Sequence, residues 1–379
     1  MHDARAITEL LMACLPPPGA RPLDRLRAAT TAITHWEPAL AAATIHRLCP
    51  LLFHRLRATN LLDALPAATR QHLEQLYLAA AVRSARLQEE LKHVLALFAS
   101  LGIDALPLRG PLLPDQLNFD PPTRQSDDLD LLLHRHDLSR ARETLLAAGY
   151  APLHAPASPA AEAHTIRIGG AHVLQRPGIN YQVDLIWTLT PRYFISPLTL
   201  ADLSPHRDAH ALRREALLVT LCIHGTKHLW SRHAWTHDVV ALLATPDTID
   251  WEAAWAHAQR LGGARMLLLG IAWAARASGL PLPGALASRV ARDGNVARLC
   301  DNLAARFDAD ATWQPADDFT KARLHLLAQP SVPARLRYLA WRAFTPSPND
   351  WRGLKLPDPL FPLYAALRPF RLATRWLRQ

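Results

Sequence analysis

Apolar spacing changes abruptly near residue 103, and this change most constrains what the chain can fold into. Upstream, Leu23 to Ile33, His46 to Arg57 and Ala68 to Ser100 carry apolar residues at helical spacing. In the last of these Leu87, Leu91, Val94, Leu95 and Phe98 form one stripe, which Gly102 breaks. Beyond Ile103 the apolar runs are short. Ala105 to Leu108 suits a strand ending in the turn Arg109-Gly110-Pro111, and Asp128 to Leu133 suits a second strand. Asp137 is then placed as the N-cap of a helix over Leu138 to Ala148, closed by Gly149. The Pro- and Ala-rich stretch Pro152 to His164 reads as a loop. Thr165 to Leu174 and Tyr181 to Trp187 read as two more strands, with turns at Gly169-Gly170 and Pro177-Gly178.

Helical spacing returns after Arg213. It marks Ala216 to Trp230, Ala234 to Ala244, Trp251 to Leu261 and Arg265 to Ser278. A proline-punctuated stretch, Thr345 to Pro362, leads to a last helix over Leu363 to Leu377, where Arg368, Arg371, Arg375 and Arg378 recur at helical spacing. The pattern is α+β and helix-dominated: an N-terminal helical region (1–102), a small sheet region (103–190) and a C-terminal helical region (191–379). No solenoid-like repeat is present.

Hydrophobic residues make up 50% of the 379, ample for a buried core. The longest apolar stretch, Met266 to Ala275, is too short to cross a bilayer and suits a core helix. Met1 to Cys14 lacks a basic-then-apolar signal pattern. Cys14, Cys49, Cys222 and Cys300 are scattered and form no CxxC pair, so a reduced, cytoplasmic protein is expected. The net charge of +9 favours anionic partners without naming one. Arginine supplies nearly all of it, and a genome-wide Arg and Ala excess accounts for it equally well.

The sharpest chemistry lies in Arg124-Gln125-Ser126-Asp127-Asp128-Leu129-Asp130-Leu131. Alternate side chains of a strand share a face, so Asp128 and Asp130 point one way while Leu129 and Leu131 point into the core. Two carboxylates on one face raise each other's pKa unless a cation lies between them. Hard oxygen donors suit a divalent ion such as Mg²⁺ or Mn²⁺. Asp184, within Val183-Asp184-Leu185, supplies a third carboxylate if its strand neighbours the first. Three carboxylates with two metal ions fit phosphoryl or nucleotidyl transfer, with Asp128 and Asp130 on both metals. Asp184 would hold the metal at the nucleophile and is placed to take its proton. A lone Asp-x-Asp, by contrast, is usually just a solvated edge. In the turn, Gly110 lets backbone amides approach a phosphate, and Arg109 adds a matching charge. Arg124 and Ser126 are further phosphate-binding candidates.

At these residues the sequence resembles the bacterial nucleotidyltransferases related to polymerase beta, and specifically the uncharacterised nucleotidyltransferase group. Arg109-Gly110 stands for that group's Lys-Gly turn. Arg124 stands four residues before Asp128-Leu129-Asp130, and Asp184-Leu185-Ile186-Trp187 matches a later Asp-Leu-His-Trp. His224, His228, Trp230, Arg232, Trp235 and Asp238 follow in the group's order. The C-terminal run Leu363-Tyr364 to Arg368-Pro369 and Arg371 also matches, so the likeness covers most of the chain. It implies a mixed-sheet core and transfer of a nucleoside monophosphate from an NTP. Three departures stand out: Arg109 for lysine, Ile186 for histidine, and Pro111 where better-studied relatives carry a serine contact to phosphate.

His224 and His228 share a helix face at a spacing that can bind zinc, but Gly225 stands where a metalloprotease needs Glu. Two readings balance: both histidines bond a neighbouring helix, with Asp238 as partner, or the helix flanks the active site with Lys227 or His224 touching phosphate or acceptor. Trp230 and Trp235 suit a core. The leading reading is an enzyme moving AMP from ATP onto an unknown acceptor, a small molecule or peptide natural product in preference to nucleic acid, with no membrane partner. The alternatives are a non-catalytic nucleotide-binding regulatory protein and an enzyme extending RNA ends. The Arg368 to Arg378 stripe could track RNA, although such stripes are usually solvated.

Overall fold

The computed structural model describes residues 2–17, 23–179, 181–192, 194–195, 197–312 and 316–376. It is a helix-dominated α+β fold around one small mixed sheet. The sheet has five strands: β1 (Ala105–Leu108), β2 (Asp128–Leu133), β3 (Ala151–Pro152), β4 (His172–Gln175) and β5 (Gln182–Ile186). They lie in the order β1-β2-β5-β4-β3. Only β2 and β5 run parallel; the other three neighbouring pairs are antiparallel.

Strand alternation sorts the side chains. Leu129, Leu131, Leu174, Val183 and Leu185 face the long Ala67–Ser100 helix and the Leu138–Ala147 helix, packing on Leu91, Val94, Phe98 and Leu145. On the opposite face Leu106, Leu108 and Leu132 join a larger core, which unites the first four helices with those after residue 200. The sheet is thus held between two apolar bodies. Where the second face carries acids instead of leucines, a cleft opens.

Four local expectations are corrected. Pro159–Arg167 is a helix, not a loop running into a strand: Pro159 sits in its first turn and Ser158 accepts a hydrogen bond from the Ala161 amide at 3.2 Å. The strand expected over Thr165 to Leu174 therefore begins only at His172. Asp137 precedes its helix but makes no side-chain capping bond. The C-terminal arginines are not a solvated face either. Arg368 is buried in an ion pair with Asp350, and Arg371 donates to the Asp350 carbonyl, while Leu363, Leu367 and Phe370 lie exposed. Arg378 lies outside the described residues, as does the side chain of Arg375. Among the described residues no helix is long and apolar enough to cross a membrane.

Candidate functional site

The parallel pairing of β2 with β5 sets Asp130 directly beside Asp184. Adjacent strands lie about 4.8 Å apart, and Asp128 follows two residues along on the same face. Leu129, Leu131, Val183 and Leu185 are each almost wholly buried, so neither strand can roll its acids away from the cleft without exposing apolar surface. All three acids line one cavity of about 460 Å³. Arg109, Gly110, Arg124, Ser126, His224 and Lys227 line it too, so the acids and the phosphate-binding candidates of the sequence reach the same space.

The turn after β1 is strained. Arg109 has φ +61° and ψ −140°, a conformation that costs a non-glycine residue on the order of 1–3 kcal/mol. Gly110 follows at φ +63°, with its Cα hydrogens facing the Asp128 carbonyl, where an added Cβ would lie at 3.4 Å. The turn directs Arg109 back over the sheet. Its guanidinium bonds the Asp130 carboxylate with one nitrogen and His224 Nδ1 with another. Arg124 grips Asp238 with two bonds of 2.7 and 2.9 Å, both partners buried. Burial opposes the Arg124 charge, but Asp238 overrides it and holds the guanidinium above its ordinary pKa. Ser126 Oγ is buried with no hydrogen-bond partner among the described residues.

The facing wall is the Arg214–Lys227 helix and the loop beyond it. Gly225 has a steric purpose: a Cβ there would meet the Trp230 ring at 2.6 Å. Leu229 and Trp230 both take positive φ, and Trp230 folds back fully buried beneath the helix. This turn carries Ser231, Arg232 and Trp235 to the cleft beside His224, Lys227 and His228. The neighbouring-helix partner expected for the histidines is corrected, because Asp238 belongs to Arg124 and His224 meets Arg109. Trp230 is core, as expected, whereas Trp235 is half-buried and lines the cavity.

Burial leaves both walls short of counter-charge. It raises Asp184 to about 7, with Asp130 and Asp128 adding repulsion. It also raises Asp128, with Asp130 pushing the same way and Arg109 opposing. Across the cleft, burial and then Arg109 lower Lys227 to about 8. Burial, followed by nearby cations, holds His224 and His228 well below the usual histidine value, so both are neutral. Such displaced pairs mark functional sites.

A divalent cation suits this donor chemistry. The acids are hard oxygen donors, and Asp184 Oδ1 is buried without a hydrogen-bond partner among the described residues. Arg109 supplies positive charge at Asp130 instead, and among the described residues no three acid, His or Cys side chains are gathered tightly enough to hold a metal as they stand.

Sequence reasoning gave no role to Arg47, Thr188, Ser231 or Arg232, all of which line the cavity. Arg47 comes from the N-terminal helices at φ +58° and pairs with Asp127. Its place depends on the Ala234 amide bonding the His46 carbonyl at 3.2 Å, a contact that no local pattern announces. No curated protein and no solved structure matches the chain. Residues 33–279, well over half of it, match the family described as uncharacterised nucleotidyltransferase, and the chain belongs to that family.

Proposed function

We propose that the cleft transfers a nucleoside monophosphate, AMP from ATP in the favoured case, to an acceptor hydroxyl with release of pyrophosphate. The observation that carries this reading is the pairing of Asp130 with Asp184 on parallel strands, with Asp128 on the same face and phosphate-binding groups opposite. A divalent cation, Mg²⁺ or Mn²⁺, would be held by Asp128, Asp130 and Asp184 and would offset the charge gathering on the triphosphate and the leaving pyrophosphate.

The chain's own groups do the rest. Ser126 Oγ, the Gly110 amide and Lys227 bind and orient phosphate oxygens; Arg109 and Arg124 add fixed positive charge. Asp184, whose Oδ1 is buried without a hydrogen-bond partner among the described residues, suits a group that takes the acceptor's proton. The acceptor oxygen forms a bond to the α-phosphorus, the bond from that phosphorus to the pyrophosphate oxygen breaks, and the acceptor proton passes to Asp184. Neutral His224 keeps Arg109 oriented by accepting from its guanidinium.

Pyrophosphate release, measured with Mg²⁺ or Mn²⁺ and each NTP in turn, tests the proposal. Release by the wild-type protein that Asp130→Ala abolishes is the expected result. Release retained in Asp130→Ala, or absent with every NTP, would refute it.

A further inference from the structure

A second cavity, of about 360 Å³, adjoins the first. β4, the Pro159–Arg167 helix and the short Pro348–Gly353 helix line it. The two cavities meet at Ala171, which lines both. Val173, two residues on, lines the second cavity alone and is the register partner of Asp184. The second cavity thus begins on the strand next to the one that carries Asp184, with the two backbones about 4.8 Å apart.

We propose that this cavity is the acceptor site, and that it takes a small hydroxyl-bearing molecule with an apolar ring. The inference rests on the nucleotidyl-transfer reading of the neighbouring cleft. Its lining differs in kind from that cleft. Pro152, Ile166, Leu174 and Trp351 make it mainly apolar, and the polar groups are few. Glu162 pairs with His172 at 3.4 Å, and Arg142 and Arg352 stand at the wall. Apolar walls with a few fixed polar groups are what recognise a small molecule. A polynucleotide needs a run of cations along its backbone and stacking platforms for successive bases. Two arginines in a lining that also holds a glutamate, with one tryptophan, do not meet that need.

The walls are firmly built. At Gly170 an added Cβ would lie 2.5 Å from Thr165 Cγ2, so helix and strand close tightly before Ala171. Trp351 is wedged among rings, with centroids 5.5 Å from Phe361 and 6.0 Å from His164. Its helix is tied down by the buried Arg368–Asp350 pair and by Arg371. The C-terminal arginines therefore have a use in the fold: they clamp one wall of the acceptor cavity.

Binding of 2-phenylethanol, followed by saturation-transfer NMR on the full chain, tests the proposal. The wild type should bind the alcohol, and a non-hydrolysable ATP analogue should not displace it. Val173→Phe should weaken alcohol binding at least tenfold while the affinity for the analogue stays within twofold. If Val173→Phe fails to fold, Ala157→Trp at the exposed mouth should give the same loss. Equal alcohol binding in a folded variant, no binding to the wild type, or displacement by the analogue overturns the proposal. Displacement by a twelve-nucleotide oligoadenylate does so in favour of an RNA acceptor. An analogue that fails to bind while the alcohol binds overturns the nucleotide reading and, with it, the acceptor role.

Discussion

The two walls of the cleft solve opposite electrostatic problems by the same means. The sheet wall gathers three acids, and burial pushes Asp128 and Asp184 up toward neutrality. The helix wall gathers bases, and burial pushes Lys227, His224 and His228 down. Each wall gains charge stabilisation only when something of opposite sign arrives: a cation for the acids, a phosphate for the bases. Arg109 bonds both walls, through Asp130 and His224. A cleft so divided is what the proposed reaction needs, a cation on one side and a polyanion on the other.

Removing a carboxylate breaks the comparison most completely. Asp130→Ala should cut pyrophosphate release by at least ~10⁴-fold, about 5–6 kcal/mol of barrier, with the helical circular-dichroism spectrum unchanged. Retained turnover would mean that the sheet wall is not the reactive one. Next in size is the tie between the walls. Arg124→Ala leaves Asp238 buried without its partner, and the expected loss is about 3–5 kcal/mol of stability in urea titration. An unchanged midpoint would show that the pair does not hold the walls together.

Lys227→Met tests the helix wall itself. With the positive charge gone, kcat/KM should fall roughly 10–100-fold, about 1.4–2.7 kcal/mol. Because Lys227 titrates at about 8, wild-type activity should decline above that pH as the ammonium is lost, and the variant should lack this limb. An identical alkaline limb in both proteins would assign it to another group.

Away from the cleft, buried histidines set the acid response. His46 is held at about 4, chiefly by burial, while its Nε2 lies 2.7 Å from the Ala311 carbonyl. An unfolded histidine takes up a proton near 6.5, so as pH falls below that value the unfolded state gains protons that the folded state refuses. Stability is then lost as pH drops from about 6.5 to 4, by up to about 2 kcal/mol at pH 5 for this one group. His46→Gln should flatten that part of the curve, and an unaltered slope would exonerate His46.

The two walls also differ in how far the sequence reveals them. β2 is legible to the residue, because Asp128 to Leu133 alternates acid and leucine before an all-apolar end, and the two-residue period needs no partner to be seen. Asp184 is legible for the same reason. The helix wall is legible only in part: His224 and Lys227 stand out in the sequence, but what surrounds them does not. Arg124 finds Asp238, more than a hundred residues away, and Arg47 enters from the N-terminal helices, so both depend on how whole elements pack. The Pro159–Arg167 helix was hidden by its own start: prolines at 152, 156 and 159 suggest a loop, yet Pro159 behind Ser158 is what opens the helix. Gly225 looked like a defect in a zinc motif until Trp230 was found packed against it.

The smallest expected effect is the most diagnostic of which wall receives phosphate. Ser126 precedes Asp128 by two residues, lines the cleft, and keeps its hydroxyl buried without a partner among the described residues. A hydroxyl that served the fold would be bonded within it, and its loss would cost about 0.5–1.5 kcal/mol of stability. A hydroxyl that serves the nucleotide has no such bond to lose. Ser126→Ala should therefore leave the urea midpoint unchanged or slightly raised, while KM for the NTP rises about 2- to 10-fold, the worth of one hydrogen bond. A lowered midpoint with unchanged KM would return Ser126 to the structure and leave the helix wall as the sole phosphate cradle.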